Sequence, residues 1–323
     1  NVFLNELKAE AFDGFDVVTV AEAAGVAYSD LPEFIGESGY FDMIFDFKWA
    51  DIDVKSGSEW FRRQAWTIAD LRELIMTQQL AMQVAGWSAN FIENHDQPRA
   101  TTKYLGEAAT NLDAVKTLGA MYFFLRGTPF IYQGQELGMT NFKRSDISEF
   151  DDISSIDQYY RSIKEGLNEQ EALSVINLRS RDNSRTPFPW TDAPNGGFSK
   201  VSPWLSSTDN FEQINAAHAL ENPDSLYYFY KRMIAFRQED DSLIYGDFSP
   251  IMPKNATVIA YKRLYKGKIT SAYFNLRSTD VVEVITGRVN KLTFETQENA
   301  ACITDNTLTL KAYSGVLFTE MEL

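Results

Sequence analysis

Glu22, His95 and Asp96 are the residues whose types and setting suit chemistry. Glu22 ends the β-branched run DVVTVAE (16–22), just before the glycine-bearing loop AAGV. A carboxyl group held there near apolar walls could act as a general acid. A strand-end carboxylate that caps a loop or pairs with an arginine accounts for the same residue. His95 and Asp96 lie in FIENHDQPR (91–99), which reads as a strand that Pro98 breaks. His95 is one of only two histidines in the chain. Two carboxylates at neighbouring strand ends, with a histidine, suit acid-catalysed transfer through an oxocarbenium-like state. One carboxyl protonates the leaving oxygen, and anionic groups stabilise positive charge on the sugar. A neutral His95 can hydrogen-bond sugar hydroxyls. A loop anchor with Arg99 pairing Asp96 fits the same residue types.

Such residues need a frame that brings strand ends together. Residues 16–22 and 40–47 (YFDMIFDF) read as strands, separated by a loop with Gly25, Pro32, Gly36 and Gly39. An amphipathic helix follows over 67–86, with Thr67 or Asp70 near its start and Gly86 at its end. FIENHD (91–96), a helix from about 111 to 126 and TPFIYQGQEL (128–137) continue the alternation. This spacing implies βαβ units and a parallel sheet. Glu22, Asp46, His95, Asp96 and Glu136 then all fall at C-terminal strand ends, the face that carries the site in a (β/α)₈ barrel. Only about four such strands are present, so the chain alone cannot close eight. Their outer members, 16–22 and 128–137, should offer exposed edges. Residues 140–222 read as a loop-rich excursion with a helix near 155–177, followed by a helix over 224–240. From about 245 the short runs 259–265, 269–276, 281–286, 307–313 and 315–321 read as a small antiparallel β domain. The expected division is therefore 1–240 for the α/β part and 241–323 for the β domain.

Composition narrows the classes of function. At 323 residues and 44% hydrophobic, the chain can bury a large core. A formal net charge of −15 argues against nucleic acid and anionic membrane surfaces as partners. Aromatic residues make up 14%, a content that suits a core and equally the CH faces of sugars. Cys302 is the single cysteine, which excludes an internal disulfide and a cysteine metal site and fits a reducing cytoplasm. No apolar run reaches 18 residues, so no membrane span is expected. The N-terminal stretch NVFLNELKAEAFDGFD reads as the middle of a helix, without Met and without the features of a signal peptide.

Four motifs, in register, resemble the α-amylase family, glycoside hydrolase family 13. FIENHDQPR is similar to its fourth signature region and VVTVAEA to its third. GTPFIYQGQELGMTN (127–141) resembles the last barrel strand and its loop. SRDNSRTPFPW (180–190), with NGGFS, resembles a segment of the oligo-1,6-glucosidase, dextran glucosidase and trehalose-6-phosphate hydrolase branch. The resemblance implies the C-terminal half of a (β/α)₈ barrel followed by a small β-sandwich, and an exo-acting retaining α-glucosidase acting on α-linked gluco-oligosaccharides without a cofactor. By that resemblance Glu22 matches the general acid/base and Asp96 the transition-state stabiliser. His95 and Arg181 match residues that hold the sugar in the −1 subsite, and Asn94 supports the strand end. Gln133, Gly134 and Glu136 read as structural.

The sequence also departs from the family pattern. The family's nucleophilic aspartate, in a Gly-x-Arg-x-Asp context, has no counterpart before Glu22, and the first signature region is absent. The resemblance therefore implies a missing N-terminal half of the barrel as partner, an inactive chain when alone, and any calcium site in that missing part. Ser154, in DDISS, stands where the 1,6-acting branch usually has Glu. Glu59, in SGSEW, stands where a lysine is common. Specificity for α-1,6 or α-1,4 links stays open. Trehalose-6-phosphate hydrolysis would need cations for a phosphate, and Lys103, Lys143 and Arg144 are scattered candidates. A non-catalytic scaffold or binding subunit of the same fold is the alternative from another class.

Overall fold

The computed structural model describes residues 2–55, 57–285 and 287–321. Asn1, Ser56 of the SGSEW loop, Thr286 at the end of the expected strand 281–286, and residues 322–323 lie outside them. The order begins α1 (Val2–Leu7), continued by a π-helical stretch Lys8–Phe12, then β1 (Val20–Glu22), α2 (Leu31–Phe34), β2 (Met43–Phe45) and α3 (Ile68–Ala85). β3 (Trp87–Asn90), α4 (Ala100–Leu105), α5 (Leu112–Phe123) and β4 (Thr128–Pro129) follow. The four strands pair in parallel and in chain order, which leaves β1 and β4 as the edges, as the alternation of elements implied.

α3 forms where its signals are strongest. Thr67 Oγ1 accepts from the amide of Asp70, and Asp70 Oδ2 accepts from the amide of Thr67, a reciprocal capping box. The helix stops at Gly86, where the backbone of Gly36 approaches too closely for a side chain. Its buried face carries Leu71, Ile75 and Met82, and also Gln79. Gln79 donates to Asn90 Oδ1 and accepts from the Arg126 amide, so α3 pins the end of β3 to the entry of β4.

The strands are shorter than expected, and one is displaced. The expected strand at FIENHD is instead Trp87–Asn90, and residues 91–96 lie beyond it. β4 explains why. Phe130 N bonds Asn90 O at 2.8 Å, and there the β3–β4 ladder ends: the Phe130 carbonyl accepts from Tyr122 Oη at 3.1 Å and the Tyr132 amide donates to Gln135 Oε1 at 3.3 Å, so neither pairs with β3. The chain leaves the sheet four residues before His95, not at Pro98. In 128–137 only Thr128–Pro129 is strand, and Gln135–Leu137 is a 3₁₀ turn.

The excursion contains α6 (Ile153–Lys164), α7 (Glu169–Arg179), α8 (Asp182–Arg185) and α9 (Ala216–Glu221). The single helix expected near 155–177 is two, because Gly166 takes φ +110° and Asn168 starts a new helix with a capping box to Glu171. α10 (Leu226–Gln238) and α11 (Asp241–Tyr245) lead to strands β5 (Asp247–Ile251), β6 (Val258–Tyr265), β7 (Lys268–Asn275), β8 (Val281–Val284), β9 (Val289–Glu295), β10 (Ala301–Thr304), β11 (Thr307–Leu310) and β12 (Ser314–Glu320). They form a five-stranded antiparallel sheet, β5-β6-β7-β12-β9, and a three-stranded one, β10-β11-β8. Alternation along β6 divides its side chains. Val258 and Ala260 join the core that holds Leu308 and Leu310 of the smaller sheet, while Ile259 and Tyr261 join the core with Leu71 of α3 and Leu118 of α5. Among the described residues no helix is long and apolar enough to cross a membrane.

Candidate active site

The candidate residues sit at or beyond the C-terminal ends of the parallel strands. Glu22 is the last residue of β1, in register with Phe45, and it is exposed instead of walled by apolar groups. Its neighbour Ala21 packs with Leu31, Ile35, Ile44 and Met82, which fixes the strand that carries it. Asp46, one residue beyond β2, is buried and accepts from Tyr28 Oη at 2.9 Å and the Lys48 amide at 3.2 Å.

Asn94, His95 and Asp96 form a tight turn. Asn94 Oδ1 accepts from the Asp96 amide at 2.9 Å, which aims the Asp96 side chain. His95 Nε2 lies 3.4 Å from Asp96 Oδ2, and its ring is largely exposed. Arg181 Nη1 reaches Asp96 Oδ1 at 3.3 Å, although 85 residues separate them. Arg185 comes closer to the same oxygen, at 2.7 Å, and donates from Nε to the carbonyl of His95 at 2.9 Å. The structure thus brings His95, Asp96, Asn94 and Arg181 together, and Glu22 stands on the same end of the sheet.

Sequence reasoning missed two participants. Asp152 accepts from Arg181 Nε at 3.0 Å, and Ser154 Oγ accepts from Arg181 Nη2 at 2.9 Å. Burial alone would raise the Asp152 carboxyl; hydrogen bonds from Arg181 and Ser155 outweigh it and hold the group below its ordinary value. The bond to Asp152, with its charge and that of Asp96, holds Arg181 above the ordinary guanidinium value. Arg185 is the second overlooked residue. Its signal was the repeat of arginine one helical turn apart in SRDNSR, which places both on one face of α8.

Arg99 does not pair with Asp96. It is buried with Glu93, Nη1 to Oε1 at 3.0 Å, and Glu93 Oε2 also accepts from the Ala100 amide at 2.6 Å. Burial pushes the Glu93 carboxyl up against the pull of Arg99. Arg99 Nη1 donates further to the carbonyl of Gln133 at 2.7 Å, tying the loop after β3 to the loop after β4. Gly134, at φ +87°, leaves no room for a side chain beside Met139 and Arg99, and its amide donates to Glu136 Oε2 at 2.8 Å. Gln133, Gly134 and Glu136 therefore shape this loop.

Two of the three phosphate candidates are committed elsewhere. Lys103 is buried 3.5 Å from Asp53 Oδ1 and donates to Gln97. The Arg144 guanidinium is buried against the rings of Phe142 and Phe150. Lys143 is exposed. Glu59 is held by Arg161 and Gln158 of α6, which docks its loop on the excursion.

Comparisons with known proteins show what the chain is similar to. The chain is similar to an oligo-1,6-glucosidase of Bacillus cereus, 32% identical over 265 residues that cover 81% of this chain and 47% of the relative. It is similar to a trehalose-6-phosphate hydrolase of Bacillus subtilis, 33% identical over 263 residues, with 81% and 47% covered. The crystal structure of isomaltulose synthase from Klebsiella sp. LX3 superposes with a TM-score of 0.92 at 30% identity, covering 99% of this chain and 58% of that one. The chain spans about half the length of the curated relatives it matches. Its strands and sheets are the C-terminal half of a (β/α)₈ barrel followed by an antiparallel β domain. The family description "Alpha amylase, catalytic domain" matches residues 1–246, and the chain belongs to the α-amylase family, glycoside hydrolase family 13.

Proposed function

We propose that the protein carrying this chain is a retaining, exo-acting α-glucosidase of the oligo-1,6-glucosidase type, acting on short α-linked gluco-oligosaccharides. The observation that carries the reading is the Asp96 carboxylate, pinned beyond a parallel strand by two arginines beside His95. A fixed anion of this kind suits a sugar that gains positive charge at its anomeric carbon. Glu22 is assigned as the acid that protonates the departing oxygen and then as the base that activates water. His95 and Arg181 are assigned to the hydroxyls of the same sugar, with Asn94 supporting the turn. The nucleophile is assigned to polypeptide outside this chain, as is the remainder of the barrel.

Trehalose-6-phosphate hydrolysis is the competing specificity, favoured by an equal likeness to such an enzyme. The burial of Lys103 beside Asp53, and of Arg144, counts against it. Glucose release from isomaltose, maltose and trehalose-6-phosphate by the full-length protein distinguishes the two. Turnover only of the phosphorylated disaccharide would overturn the proposed specificity. In the same protein Asp96→Asn should lower kcat by roughly 10³-fold or more, about 4 kcal/mol of barrier, with folding retained. Near-parental turnover in that variant would remove Asp96 from the site.

A further inference from the structure

We infer that Arg185 is a positioning residue that fixes the orientation of the Asp96 carboxylate, a role distinct from sugar binding by Arg181. The inference rests on the assignment of Asp96 to transition-state stabilisation.

The geometry separates the two arginines. Arg181 spends its Nε and Nη2 on Asp152 and Ser154, and reaches Asp96 Oδ1 with Nη1 at 3.3 Å. Arg185 makes the shorter contact, 2.7 Å from Nη2 to the same oxygen. Its Nε takes the carbonyl of His95, so one planar guanidinium grips both the backbone of the turn and the carboxylate it carries. Both arginines engage Oδ1, so Oδ2 is the oxygen left facing His95. A carboxylate held by one oxygen from two directions cannot rotate freely about its terminal bond.

The support beneath Arg185 is rigid. Ser184 Oγ donates to the carbonyl of Gln97, the residue after Asp96, and the Ser184 carbonyl accepts from Tyr132 Oη at 3.0 Å. Asn183 Nδ2 donates to the carbonyl of Asn177 on α7. α8 is thus tied to the loop after β3, the loop after β4 and the end of α7, and delivers Arg185 to a fixed place. An anion that must not reorganise as charge develops needs such a support.

The test uses the full-length protein with 4-nitrophenyl α-D-glucopyranoside as probe. Arg185→Gln should lower kcat about 100-fold while KM stays within about threefold, because the lost contact is one layer away from the sugar. Arg185→Lys, which restores charge without the two-pronged geometry, should recover only part of kcat. A KM rise that carries the whole loss would make Arg185 a sugar ligand, and an unchanged kcat would make it structural; either result overturns the proposal. Asp96→Asn is measured alongside. If that variant keeps turnover, the underlying assignment of Asp96 fails; if it is dead while Arg185→Gln is active, only the positioning role fails. Should Arg185→Gln not fold, Arg185→Lys carries the same kcat-against-KM comparison.

Discussion

Lys103 shows how burial sets the behaviour of a single residue near the site. Its amine is enclosed with Asp53, Arg179 and Gln97, and Gln97 follows Asp96 in the chain. Burial, with the Arg179 charge beside it, pushes this amine down from 10.5 to about 7. Asp53 stays below its ordinary value despite burial, because Lys103, Arg179 and Arg63 all face it. Two guanidiniums therefore keep it ionised after the amine loses its proton. Between about 7 and 10.5 the unfolded chain binds more protons than the folded one at this position. The stability tied to Lys103 is then fully present above 10.5 and is lost as pH falls through about 7. Thermal midpoints of the parent and of Lys103→Met should therefore diverge with pH, the parent gaining between pH 7 and 10. A difference that stays constant over that range would contradict the prediction. Nothing near Lys103 in sequence announces this environment, since Asp53 and Arg179 lie 50 and 76 positions away. Asp96 and His95 stood out because both lie within one short motif. Arg185 and Asp152 were not, because their partners were fixed only once the excursion folded back over the strand ends.

Elements were legible where local chemistry and burial agree. For α3 both ends were marked: the capping box at Thr67 and Asp70, and Gly86. Thr67→Ala should cost about 1 kcal/mol, the usual loss for an N-cap, while Thr67→Ser, an equally good cap, should leave stability unchanged. Urea unfolding of the pair measures this, and equal midpoints for Ala and Ser would show that the cap carries no stability. The strands were the harder case. FIENHD has apolar residues that are buried, Phe91 and Ile92, yet it makes no ladder. Burial there comes from aromatic packing: Phe91 lies edge-on to Phe45 and Phe47, with centroids 5.3 and 5.1 Å away. Composition reports burial, whereas a strand also needs a neighbour whose backbone groups are free to pair. On β4 the Phe130 carbonyl is taken by Tyr122 Oη and the Tyr132 amide by Gln135 Oε1, partners fixed only in the folded chain. The β domain was more readable because its antiparallel neighbours follow one another closely, as β6 and β7 do across a short turn at Lys266 and Gly267.

At the scale of the molecule, the α/β part and the β domain share one core. Leu71 and Ile75 of α3 and Leu118 of α5 pack in the same cluster as Tyr261, Phe274 and Leu317 of the larger β sheet. Hydrogen bonds cross the same boundary. Tyr261 Oη donates to the carbonyl of Met121, and Arg263, fully buried, donates to the carbonyl of Phe124. Burial, with the Arg237 charge nearby, lowers the Arg263 guanidinium to about 9. Separating the two parts would expose this apolar face and cost Arg263 its bond to Phe124, so neither part should persist after the other unfolds. The chain contains its own reporters. All six tryptophans fall between Trp49 and Trp204 and report the α/β part. Cys302, exposed on β10, can carry a fluorophore that reports the β domain. The two signals should trace one urea transition with a common midpoint. Arg263→Met, which removes the buried donor to Phe124 while keeping bulk, should lower both midpoints together. Two separated midpoints in the parent would show that the β domain is an independent unit, and the shared core would then contribute far less than its burial implies.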